Sequence, residues 1–458
     1  DQFHFISIQG PTDRTRNHLA RSHAIARGLQ NKRKLRQKAG LNFNTFSPEN
    51  GHRQPISTKD KDRPCTSPRP GASLSRTCAV DLLRMLAAES PEQQPSLNQQ
   101  FDRQAIRPML SVSDELVLRN FHSVLQSGSN DHALLSAVML TFSFSFGEEN
   151  LNGECLGYQS QTMSYIRDRM SYPEKATTES TLGAILLLAR IEALLGIPNH
   201  VQLHMSAIKE ILGVCQRLGV YLSDGIKRAI FWSDLNTSVM TGSHRIVDHT
   251  TFAELQWKRD PFAPTFFILP AGFQEHSALL GESFLEILRD IFALQCIRDS
   301  ALFGREDVIS MARIDNHQAS IQSRLVSLPN HSSISECCHL AAYLCSAMLR
   351  CKIWRCSTLP SYISLQLLSK IQITNNDPLW DVSPDLLAWL LHIGGAFAPV
   401  GSIRAGYMAL VHSNHIKLRK LYTSWPELLE ILKGFIWSEK AFASQVESFW
   451  RESFATMP

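Results

Sequence analysis

No CxxC pair occurs anywhere in this sequence, although it holds ten cysteines. Tetrahedral zinc sites and dithiol redox centres draw paired thiols from short loops, so the sequence carries no signature of either. The cysteines at 337, 338, 345, 351 and 356 stand instead in one apolar run, ECCHLAAYLCSAMLRCKIWRC, where a thiol behaves as a small buried hydrophobe. That usage predicts a reducing compartment, not a disulfide framework. The phosphate-cradling patterns GxxxxGKS/T and GxGxxG are missing, as is the GxSxG nucleophile elbow, which removes the common nucleotide and acyl-transfer signatures. HVQLH sets His200 and His204 at the spacing of a zinc pair, but Val201 replaces the Glu of HExxH. A hydrogen-bonded structural pair is expected there, as for His412 and His415. The longest apolar run, TLGAILLLARIEALLGI, is broken by Arg190 and Glu192 and is too short to span a bilayer. No apolar core with a cleavage site occupies the first thirty residues, so no secretory leader is expected. A soluble, intracellular protein without metal or cofactor follows, and nothing in it points to catalysis.

Acid is also missing from one region. RSHAIARGLQNKRKLRQK (21–38) has seven Lys or Arg and no Asp or Glu. Residues 1–75 hold 14 basic against 5 acidic residues, a net +9, while the remaining 32 basic against 37 acidic give −5. A basic arm on a slightly acidic body points to a polyanionic partner for the arm alone. Three readings of the cluster stay open. Arg21, Arg27, Lys32, Arg33, Lys34, Arg36 and Lys38 form a nuclear address, or they contact DNA phosphates, or they line a solvated helix face. Base reading would need a docked helix, for which Arg21, Arg27 and Asn31 are the candidates.

With 458 residues, 44% hydrophobic and 19% charged, the chain is long enough for roughly two or three globular units. Residues 1–46 read as a short extended segment, FHFISIQGP, followed by a thinly amphipathic basic helix. Residues 47–78, with five Pro among Ser, Thr and charged residues, read as a flexible linker. From 79 to 458 apolar residues recur at three- and four-residue intervals in about a dozen segments, which predicts an all-α body. Ser113, Ser180, Asn199, Ser335, Ser383 and Ser424 are the expected caps, with Pro378, Pro384 and Pro426 at starts. No fixed period recurs, so a regular solenoid is not expected.

Several segments in order resemble the fungal-specific transcription factor family, in its branch with a large all-helical regulatory domain. RSHAIAR…KRKLR looks like the group's N-terminal RSHA and basic cluster. HMSAIKEILGVCQRLGVYLSDGIKRAIFWSDLNTSVMTG is similar to its mid-domain stretch, through His204, Gly219, Trp232 and Asp234. LLAWLLHIGGAFA resembles a family helix through Trp389, Gly394 and Gly395, and SWPELLEILKGFIW resembles the closing block through Trp425 and Trp437. Two departures stand out: QRLG replaces the usual RGG turn, and the six-cysteine binuclear zinc cluster found in many such regulators has no counterpart. The resemblance implies a nuclear regulator that acts on transcription machinery or other regulators, as a monomer or homodimer, with duplex DNA as a further partner of the arm. It also implies a non-enzyme whose motif residues are structural. An interaction protein of the same fold that never binds DNA is the alternative.

Overall fold

The computed structural model describes residues 131–146, 152–260, 266–300, 308–329, 332–350 and 358–455. The basic cluster, the linker, the expected helices before residue 130, Ser113, Cys351 and Cys356 all lie outside these. Helix makes up 77% of the described residues and no strand occurs among them, as the three- and four-residue apolar spacing predicts.

The first core gathers around a helix that is buried on almost every side. Helices α1 (His132–Phe146), α2 (Gly153–Met170), the short α3 (Pro173–Ala176), α4 (Glu179–Leu194), α5 (Pro198–Leu218) and α6 (Asp224–Thr241) follow in order. Thirteen of the sixteen residues of α4 are buried, so it is the central rod against which α1, α5 and α6 pack. A helix apolar all round must be enclosed, and this is the segment with the longest apolar run. Thr178 caps α4, accepting from the Thr181 N–H, two residues ahead of the expected Ser180. Pro198 opens α5 at a position where a missing N–H is harmless. Gly219 closes α5 in the left-handed region at φ 65°, which a side chain would strain. It is the glycine at the QRLG turn.

After α6 a 3-10 turn (Ala253–Leu255) and two short helices follow, α7 (Ala271–Glu275) and α8 (Ser277–Leu280). The second core follows, from α9 (Glu282–Asp299), α10 (Val308–Val326), α11 (Ser333–Arg350), α12 (Thr358–Thr374) and α13 (Leu379–Val382) to α14 (Pro384–Ala396), α15 (Ser402–Ser413), α16 (His415–Arg419), α17 (Trp425–Lys433) and α18 (Ala443–Ala455). Here α14 is the enclosed rod, buried from Leu386 through Ala396. Ser424 forms a full capping box with Glu427 at the start of α17, the reciprocal pairing expected of S-x-x-E. Ser383 stands at the start of α14 but makes no side-chain cap bond. Cys337, Cys338 and Cys345 line the inner face of α11 with no exposure; burial pushes the Cys337 thiol up to about 12 and the other two higher still. No helix among the described residues is long and apolar enough to cross a membrane.

Candidate functional site

The two cores meet along α10, and they meet through charge. Helix α10 carries Asp315, Asn316, His317, Ser320, Gln322 and Ser323, all but Asn316 buried. Asp315 pairs with Arg228 of α6, whose second amino group donates to the Glu254 carbonyl at 3.1 Å. The Asn316 amide donates to that same carbonyl at 2.7 Å. Lys227, fully buried, reaches the Glu254 carboxylate at 2.7 Å. On the far side Asp290 of α9 holds both Arg324 of α10 and Arg259, the latter at 2.6 Å. His317 stacks flat on Trp257 with ring centroids 3.9 Å apart, and burial drives its imidazole down to about 3.

Asp234 anchors the loop that leads into this belt. Its carboxylate accepts from the Arg245 Nε at 3.1 Å and from the Ile246 and Val247 N–H groups at 3.0 and 3.3 Å. Arg245 in turn donates to Ser323 of α10 at 2.8 Å. Burial raises the Asp234 carboxyl; the Arg245 charge and these hydrogen bonds oppose it. Asp315 is also raised by burial against the pull of Arg228, with Trp232 beside it as a smaller opposing influence. The W-x-D pair therefore serves the belt twice, Trp232 through Asp315 and Asp234 through Arg245. A desolvated pair adds little net stability, but removing one member strands a charge at a cost of about 3–5 kcal/mol. The belt fixes how the two cores sit against each other.

The remaining motif residues belong to the second core. Trp389 is fully buried, donates its indole N–H to the Ile436 carbonyl at 3.2 Å, and meets Phe273 edge-on at 5.2 Å. Gly394 and Gly395 lie against the Tyr407 and Phe449 rings, so close that a Cβ on either would overlap its neighbour. The two glycines permit α14 to be crossed tightly on two sides, the close packing expected of a GG pair inside an apolar helix. Trp425 tilts against Trp437 and Trp450 at 6.4 and 5.8 Å. These residues do not converge on a common point with the belt.

His204 is half-buried on α5, its imidazole held near 4 by burial and by the charge of His200. The structure adds a carboxylate that the sequence left unseen: Glu192, 3.3 Å from His200, is brought there by the tight turn between α4 and α5, where Gly196 has φ 68°. The Gln159 amide holds the other Glu192 oxygen at 2.6 Å. Among the described residues, no three His, Cys, Asp or Glu side chains are grouped to hold a metal ion. His412 contacts the Ser453 carbonyl at 2.9 Å and His415 the His412 carbonyl at 2.8 Å, both structural arrangements.

One alignment looks catalytic on paper. His276 sits with Nε2 3.0 and 3.1 Å from the Asp385 oxygens and Nδ1 3.3 Å from the Ser383 hydroxyl. A serine nucleophile must meet substrate, yet Ser383 is only 2% exposed, and the His276 imidazole is turned with its closer partner the acid. The hydrogen bond and charge of Asp385 raise His276 against the effect of burial. Burial pulls Asp385 up, but the hydrogen bond and charge of His276 and backbone N–H groups outweigh it. Phe435 lies parallel to the imidazole at 6.4 Å, and Gly272 donates to the Gly434 carbonyl at 2.7 Å. The trio is a clamp that pins α7 to the start of α14.

The seven basic residues from Arg21 to Lys38 lie outside the described residues. Comparison with family models, with curated proteins and with solved structures finds no match in any of the three.

Proposed function

We propose that this chain is a nuclear transcription regulator, with an all-helical body that makes protein contacts and a basic N-terminal arm that serves as nuclear address and weak DNA contact. The observation that carries the reading is the placement of the motif residues. Trp232 and Asp234 support the joint between the two cores, and Trp389, Gly394, Gly395, Trp425 and Trp437 build the packing of the second. Structural roles are what the resemblance implies for these motif residues, and the Ser–His–Asp trio works as a clamp, which favours a non-catalytic body. The lack of CxxC pairs in the sequence favours a second reading, an interaction protein that never touches DNA.

A fluorescence-anisotropy titration of duplex DNA at several salt concentrations separates the two. With about five arm residues on phosphates, log K falls against log salt with a slope near −4 to −5, sequence preference is weak, and chelation changes nothing. Deleting residues 1–40 should abolish the binding. In cells, replacing Lys32, Arg33, Lys34, Arg36 and Lys38 by Ala should leave a tagged protein in the cytoplasm. Unchanged nuclear accumulation would sink the address, and binding that survives the deletion would move the DNA contact onto the body.

A further inference from the structure

The loop after α6 brings Arg245 and His249 to the joint between the two cores. Arg245 uses Nε on Asp234 at 3.1 Å and Nη1 on Ser323 at 2.8 Å, while its Nη2 is buried and has no partner among the described residues. Buried polar atoms are nearly always paired, yet His249 Nδ1 and the Tyr343 hydroxyl are likewise buried and unpartnered there. Tyr343 is only 4% exposed. Helix register carries it to Arg245. Helices α10 and α11 follow one another in the chain and pack together, so α11 runs back along α10. The Gln318 and Gln322 amides of α10 donate to the Ser346 carbonyl and hydroxyl of α11 at 3.3 and 3.2 Å. One turn nearer the connection, Tyr343 comes level with Ser323, the residue that holds Arg245. Electrostatics agree with that register. Burial raises the Tyr343 phenol and the Arg245 charge opposes it. Burial lowers His249, the Asp248 charge opposes it, and the Arg324 and Arg245 charges lower it further.

We propose that this joint binds the carboxylate of a small molecule, which accepts from Arg245 Nη2, the Tyr343 hydroxyl and the Nδ1–H tautomer of His249. A guanidinium has donors and no acceptor, so the occupant must bring lone pairs. A carboxylate brings them with a charge, and charge-assisted hydrogen bonds are the strong ones. The acids already in place limit that charge. Arg245 faces Asp234, Arg324 shares Asp290 with Arg259, and Asp248 keeps one oxygen on Thr250 and Thr251 within its own turn, at 2.8 and 3.1 Å. Beside those carboxylates one negative charge is better tolerated than the nearly two of a phosphate monoester. Tyr343 closes the inner end, whereas Arg245 and His249 keep part of their surface exposed, so the carboxylate enters foremost and the rest of the molecule extends past the loop. Bound there, it ties a loop of the first core to α11 of the second. The inference does not rest on the regulatory reading.

The test uses the full chain, with formate, acetate and butyrate as probes against chloride and phosphate at matched ionic strength. Melting temperature should rise saturably with at least one carboxylate and stay flat with chloride. Tyr343→Phe removes a single hydroxyl and His249→Ala trims a partly exposed side chain, so both should keep the wild-type circular dichroism. In isothermal titration each should raise the carboxylate Kd about tenfold, the loss expected of one hydrogen bond to a charged group. No saturable rise with any carboxylate would leave the three atoms to water and overturn the proposal. An equal rise with chloride would reduce the effect to ionic strength and overturn it too. Binding that both variants leave intact would place the carboxylate elsewhere, and a stronger response to phosphate would refute the stated ligand class.

Discussion

Replacing Gly395 by Ala sets two effects of opposite sign against each other. Inside a helix the change stabilises by about 1 kcal/mol, because alanine loses less backbone entropy and is the better helix former, and at Gly395, the penultimate residue of α14, that is an upper bound. At Gly395 the added methyl would fall within the ring of Phe449, and that ring has nowhere to go. Phe449 is fully buried, the His392 ring meets it edge-on at 5.8 Å, and the Arg404 guanidinium lies 5.2 Å above its face. Arg404 is itself fixed, by Glu452 at 2.7 and 2.8 Å and by the Gly395 carbonyl at 2.9 Å. Overpacking a rigid site typically costs about 1–3 kcal/mol, and full expulsion of a phenylalanine about 3–5. The expected outcome is a net loss of about 2 kcal/mol, read as a lowered urea midpoint. Gly213→Ala on α5 is the control. Its nearest neighbour is the tip of the Arg217 side chain at 3.6 Å, so only the propensity gain of about 0.5–1 kcal/mol remains and the midpoint should rise. A Gly395→Ala protein as stable as wild type would refute the tight crossing of α14.

Two further outcomes follow from the belt and the clamp. Asp234→Ala should lower stability by about 3–5 kcal/mol, since it strands Arg245 beside two unpaired backbone N–H groups; adding Arg245→Met should recover part of the loss in urea denaturation, and no recovery would show the pair to be uncoupled. The His276–Asp385 clamp should act within a pH window. His276 is raised, so its contribution is complete below the unfolded histidine value of about 6.5 and is lost as pH climbs through the folded one. Asp385 is lowered, so its contribution is complete above about 3.9 and is lost as pH falls through its folded value. Thermal melts of wild type minus His276→Gln should therefore differ most between about pH 4 and 6.5, and a difference flat across pH would refute the ionised pair.

The apolar rods were legible because enclosure on all sides leaves an unbroken signal: α4 and α14 are the clearest segments in the sequence and the centres of the two cores. Helix α10 was not, for a physical reason. Its buried residues mix Asp315, His317, Gln318, Ser320, Gln322 and Ser323 with Ile314, Ala319, Ile321 and Leu325, so the polar majority diluted the apolar period, and the belt it carries stayed hidden. Helix α2 escaped for the opposite reason, since its outer face repeats apolar residues as its inner face does and blurs the contrast. The IRAGYMALVHSNHIKLRKLY segment keeps one helical apolar spacing from end to end but divides at Asn414, whose side-chain amide turns back to the Leu410 carbonyl at 2.9 Å and out to Asn375 at 2.8 Å. Trp232 and Asp234 were singled out by resemblance; their partners, Asp315 and Arg245, were not, because no local pattern links residues so far apart in the chain.

The buried thiols of α11 make the chain its own recorder of opening. At neutral pH a thiol displaced to about 12 is thiolate in about one molecule in 10⁵, and only the thiolate attacks an alkylating reagent. Cys337, Cys338 and Cys345 should thus stay silent for as long as α11 remains docked, and each event that bares the helix restores an ordinary, reactive cysteine. Mass-resolved alkylation over time would then count excursions of the second core directly, with no residue changed.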